Sequence, residues 1–211
     1  MNIEVINNAK DVKVTVNKNA DGTFAILVVE DRKPILSSMK PGSIVELGKS
    51  KRRYVVLGHG AETTALVTEN YVKTMTFGND GDYISSNCRK YLNGEYYEEL
   101  CGDVGAEHIV KHTVNLIADD GTGKGKTVKD NVSILTNDLY RRYREFIPKV
   151  DYPCFTATRV TYDEKTGYSR GVCCVRSNGI LGWLDCGCTD GVRPFCILDS
   201  SISVLDVTGK A

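Results

Sequence analysis

The chain has 211 residues, enough for one sizeable core or for a compact domain with a small appendage. Lysine plus arginine and aspartate plus glutamate both number 27, so there is no general electrostatic pull toward nucleic acid or an anionic membrane. Neither is an expected partner, and the balance favours a protein that meets another protein or a small polar ligand.

The start, Met1-Asn-Ile-Glu-Val-Ile-Asn-Asn8, has no basic segment leading into an apolar run, so export by a signal peptide is not expected. Val12-Lys-Val-Thr-Val16 alternates apolar and polar residues, Asn19-Ala-Asp-Gly22 supplies turn residues, and Phe24–Val29 is a second strand-forming run. Together they predict a hairpin. Two prolines and a glycine between Arg32 and Gly42 suit a connection. A boundary near Lys40 divides the chain into an amino-terminal β-hairpin or arm, 1–40, and a main domain, 41–211.

Ser43–Leu47, Arg53–Leu57 and Thr64–Thr68 read as a strand meander with Gly48, Gly58 and Gly60 in its turns. A helix is expected from Ser85, where serine can cap the first turn and Cys88, Tyr91, Leu92 and Tyr96 recur at helical spacing. Gly94 should kink or split it. Ile109–Ile117 reads as a strand with Val110, His112, Val114 and Leu116 on one face, and Asn131–Leu135 as another. Asn137 should cap a helix whose buried stripe is Leu139, Tyr143, Phe146 and Ile147, stopped by Pro148. Cys154–Thr158, Val172–Val175 and Val192–Leu198 complete the strands. The expected class is α+β, with two short helices.

Asp120-Gly-Thr-Gly-Lys-Gly-Lys-Thr127 has the look of a phosphate loop, but the position needing the first glycine is Asp120 and a strand follows where a helix should begin. A hairpin tip is expected. The eight cysteines are expected reduced, with Cys88, Cys154, Cys174 and Cys196 packed in the core. Zinc ligation by Cys173, Cys174, Cys186 and Cys188 fits poorly, since adjacent residues of a strand face opposite ways. His59, His108 and His112 have no partner in sequence, so no metal, cofactor or catalytic residue is assigned.

Three stretches carry a family resemblance. Lys51-Arg-Arg-Tyr-Val-Val-Leu57 places a basic residue and an aromatic before a Val-Leu pair, Tyr83–Asn93 has the form aromatic-x-x-Ser-x-x-Arg-x-aromatic-Leu-Asn, and Gly191-Val-Arg-Pro-Phe195 is a closing strand. In that order they resemble an uncharacterised domain family common in bacteria and their phages, whose members look like C-type-lectin-like folds. The resemblance covers roughly Ser43 to Val204. It implies a C-type-lectin-like mixed domain, an Arg89–Glu107 ion pair inside the scaffold, and function in the loops before the last strand. The formylglycine-generating enzymes, copper-dependent oxidases, share a related architecture, and Cys173/Cys174 with Cys186/Cys188 occupy a comparable region at a different spacing.

Within the Asn178–Asp190 region, an aromatic plane with flanking polar groups can anchor a sugar or a protein. Asn178, Trp183, Asp185 and Asp190 are the candidate ligand-binding residues. The Glu-Pro-Asn and Trp-Asn-Asp pair of calcium-dependent sugar binders is absent, although Trp183-Leu-Asp185 has a partial likeness. The expected function is therefore a non-enzymatic binding module: a phage or prophage virion-associated adhesion or decoration protein recognising a protein or glycan surface, with homo-oligomers allowed. The alternatives are an intracellular module countering host defence and, behind it, the copper-dependent oxidase. The expected location is the virion or the bacterial cytoplasm.

Overall fold

The computed structural model describes residues 12–30 and 33–209; the readings of Met1–Asn8 and Arg32 fall outside them. The chain forms two compact units, Met1–Pro34 and Ile35–Ala211.

In the first unit, β1 (Val12–Lys18) and β2 (Phe24–Glu30) pair antiparallel, with Val14 opposite Val28 and Val16 opposite Ile26. Asp21 builds the turn by accepting the Thr23 backbone N–H at 2.9 Å.

The second unit begins with β3 (Ile44–Leu47), β4 (Arg52–His59), β5 (Thr63–Thr68) and β6 (Lys73–Thr76). Helices α1 (Asn87–Leu92) and α2 (Glu95–Val104) follow, then β7 (Ile109–Val110), β8 (His112–Asn115), β9 (Thr127–Asp130) and β10 (Val132–Ile134). After α3 (Asn137–Tyr143) come β11 (Cys154–Arg159), β12 (Gly171–Val175), β13 (Leu181–Asp185), β14 (Thr189–Val192), β15 (Pro194–Asp199) and β16 (Leu205–Asp206).

One sheet runs β10-β15-β5-β4-β3-β16, with β7 also pairing β15; a second runs β13-β12-β11-β14-β6, and β8-β9 is a separate hairpin. In the second sheet β11 and β14 are parallel, and its other pairings are antiparallel. The run Tyr54-Val-Val-Leu57 is buried along its whole length because both faces of the first sheet are covered. Tyr54 and Val56 pack with α1 and α2 residues Leu92, Tyr96 and Leu100, whereas Val55 and Leu57 pack with Tyr140 and Ile147.

This architecture corrects the α+β, C-type-lectin-like expectation. The protein is mostly β, 39% strand against 17% helix, spread over several sheets. Among the described residues, three α-helices of six, ten and seven residues, with three short 3-10 turns, stand where two helices were expected. Gly94 separates α1 from α2, and each of the α1 and α3 caps falls one residue from where composition put it. Ser86 caps α1 by accepting from Arg89 N at 3.0 Å, and Thr136 caps α3 by accepting from Leu139 N at 3.2 Å. Tyr140 is the buried residue of α3, while Leu139 and Tyr143 are half-buried.

The Arg89–Glu107 pair is also corrected. Arg89 donates from Nε and Nη2 to Asp130, which is 2% exposed, at 2.8–3.1 Å. This ties α1 to β9.

The closing Gly-Val-Arg-Pro segment is a crossing between sheets rather than one strand. β14 ends at Val192 and β15 begins at Pro194, so Arg193 is the single residue joining the two sheets. Its buried guanidinium donates to the carbonyls of Thr68, Glu69 and Pro148 at 2.7–2.9 Å.

Candidate functional site

The region read as a loop, Asn178–Asp190, contains all of β13 and the start of β14. A tight turn reverses the chain after β12. Gly179 N donates to Arg176 O, Arg176 N donates to Ile180 O, and the Asn178 side chain accepts from Ile180 N at 3.0 Å. Gly179 sits at φ 79°, a left-handed conformation that suits glycine in this bulged turn. Asn178 therefore shapes the turn.

Trp183, the only tryptophan, lies at the middle of β13 and is 50% exposed. Its ring meets Tyr168 edge-on at 5.4 Å between centroids, and Tyr168 is itself 49% exposed. Ile180, at the turn, is exposed too. The Arg176 side chain crosses Gly182, where a Cβ would sit 2.4 Å from Nε, so glycine is what lets the guanidinium lie over the strand. Core packing of Trp183 against Leu181 and Leu184 is not what the structure shows. The aromatic stands out from the sheet.

The two carboxylates predicted beside it diverge. Asp185 pairs with Arg170 at 3.0 Å and accepts the Gly187 N–H at 2.8 Å, and the guanidinium holds it below the usual carboxylate range. Asp190 is 4% exposed, inside β14, with Oδ2 unpartnered among the described residues. It takes no part in the Trp183 surface.

Burial alone pushes Asp190 up to about 6 from 3.8. Between those values the folded chain holds a proton that the unfolded chain releases, so this group's contribution to stability falls as pH rises from about 4 to about 6 and is constant above that. Asp190→Asn should therefore be more stable than the parent at pH 7.5, by about 1–3 kcal/mol. The advantage should vanish near pH 4, as read from urea midpoints at the two pH values.

The other motifs are brought to separate places. Cys173 and Cys174 are both buried, which pushes their thiols up to about 12 and about 11. They occupy successive positions of β12, opposite Trp183 and Gly182. Cys186 is buried and Cys188 exposed; all eight thiols are free. Among the described residues no three His, Cys, Asp or Glu side chains converge on a metal-sized site. Residues 116–126 link β8 to β9 with the glycine run at the hairpin tip, Asp120 accepting from Thr122 and the Lys126 ammonium lying 3.8 Å over the Tyr162 ring. Among the described residues, no helix is long and apolar enough to cross a membrane.

His112 bonds Ser133 and meets Phe195 edge-on, and burial pushes its pKa down. His59 lies between Thr64 and the Met39 carbonyl.

No family model, curated protein or solved structure matches this chain. The site stands on its own geometry.

That geometry adds features that the residue pattern did not single out. β13 is the outer strand of its sheet, and Tyr168 and Arg176 frame it. Tyr168 precedes β12 by three positions, and nothing in Thr166-Gly-Tyr-Ser169 marks it as a partner of residue 183.

Proposed function

We propose that this chain is a non-enzymatic binding module whose contact surface is the Trp183 edge of the five-stranded sheet, and whose partner is another protein. The half-exposed tryptophan carries this reading. A large aromatic held rigidly between Tyr168 and a sheet loses little conformational freedom on binding, and such residues dominate association energies. A glycan needs several free polar side chains around the ring, whereas here Asp185 is engaged by Arg170 and Asp190 is buried. That favours a polypeptide. The resemblance at Gly191–Phe195 supports the setting we assign, a virion-associated protein meeting a host surface or another virion component.

Trp183→Ala is the direct test. The ring makes one edge contact and is half in water, so its loss should cost about 1 kcal/mol of stability, far below the roughly 3–5 kcal/mol of a buried tryptophan. Capture of the partner from virion or host-envelope preparations should nevertheless be lost. A variant that melts several degrees early, or that stays folded and captures the same partner, would assign Trp183 to the scaffold.

A further inference from the structure

We infer that β13 binds its partner by strand addition, the partner contributing an extended segment that alternates acidic and apolar side chains. This rests on the Trp183 reading and adds the form and chemistry of the partner. The ladder between β12 and β13 is bracketed by Arg176 N→Ile180 O at one end and Cys186 N→Arg170 O at the other. Antiparallel pairing alternates, so even-numbered residues of β13 turn their N–H and C=O groups toward β12. Leu181 and Trp183 turn theirs outward, where no backbone or side-chain partner meets them among the described residues.

The other edges of the two large sheets are covered or short. Along β10, Asn93 stands in for a strand: its Oδ1 accepts from Asn131 N and Val132 N, and its Nδ2 donates to Val132 O at 2.9 Å. On β6, Asn87 Nδ2 reaches Thr76 O and Lys73 pairs with Glu95 of α2. β16 has only two residues. Natural sheets guard edges with charge, brevity or cover, yet Leu181-Gly-Trp-Leu184 carries no charge or proline, and Asp185 is neutralised by Arg170. An open edge of this kind is a template for an added strand.

The side chains specify what is added. Trp183 projects half-exposed on one face of β13, where Leu181 packs partly against the core, and calls for an apolar residue beside it on the incoming segment. On the opposite face the Arg176 guanidinium lies over Gly182, with no carboxylate at salt-bridge distance among the described residues. A glutamate or aspartate of the incoming strand, beside Gly182, completes it.

Selection of the intact chain against a random ten-residue peptide library tests this. The enriched peptides should share an acidic–apolar alternation and should slow amide exchange at Leu181 and Trp183 by tenfold or more. Methylating alternate backbone nitrogens should weaken them at least tenfold, and Arg176→Ala should do the same without changing the melting temperature. Peptides that bind through Trp183 but leave both amides exchanging freely would overturn strand addition and leave the contact surface standing. An empty selection would also overturn it. Peptides indifferent to Trp183→Ala would remove both readings.

Discussion

Arg193→Ala should lower the unfolding free energy by about 3–5 kcal/mol, because hydrogen bonds to a charged donor contribute about 1.5–3 kcal/mol each and their losses do not simply add. The guanidinium is 6% exposed and serves the Thr68, Glu69 and Pro148 carbonyls together. Those acceptors belong to the end of β5, the residue after it, and the segment following α3, so one side chain fixes the point where the two sheets exchange a strand. Arg193→Lys should recover only part of the loss, since an ammonium lacks the planar fork that spans three acceptors. Urea unfolding of both variants checks this, and an alanine variant within 1 kcal/mol of the parent (about the size of one ordinary hydrogen bond) would show that the crossing does not depend on Arg193.

The second large effect belongs to Arg89. Its removal leaves Asp130 buried without its counter-charge, a change that costs about 3–5 kcal/mol. Tyr83 lies close enough to Asp130 for the carboxylate to add to the rise that burial imposes on the phenol. Asp130→Asn should cost less than Arg89→Ala, because Arg89 is 28% exposed and can turn to water once its partner is neutral. Unfolding curves for the two variants give this order directly, and the reverse order would contradict the burial argument.

Local pattern made much of the strand layout legible. Tyr54–Leu57 and Val172–Val175 are apolar runs bounded by turn residues, and each lies within a strand, β4 and β12. Gly94 separated the helices because a helix interior disfavours it and a helix start tolerates it. Partners distant in the chain were not legible. Arg89 bonds Asp130 of β9, forty-one positions away, rather than the nearer Glu107, a pairing set by tertiary packing and not by distance along the chain. The Asn178–Asp190 stretch looked like a loop because glycine interrupts it at 179, 182 and 187. One of these makes the turn and another makes room for Arg176, so the same residues are compatible with a strand.

The candidate site shows the same division. That Trp183 stands among polar residues was visible, and the structure keeps it at the surface. That Asp190 is buried while Asp185 is exposed follows from their places in the second sheet, where Asp190 sits on a central strand and Asp185 ends the edge strand. Edge position is a property of strand order, and strand order joins residues more than a hundred positions apart, such as Thr189 and Thr76.

Because Trp183 is the only tryptophan, its fluorescence reports on this one position without labels. Collisional quenching by acrylamide, with and without the partner, measures its exposure in both states. The account predicts strong quenching in the free chain and protection in the complex, with emission shifting to the blue as water leaves the ring. Weak quenching in the free chain, or quenching that the bound partner leaves unchanged, would contradict it.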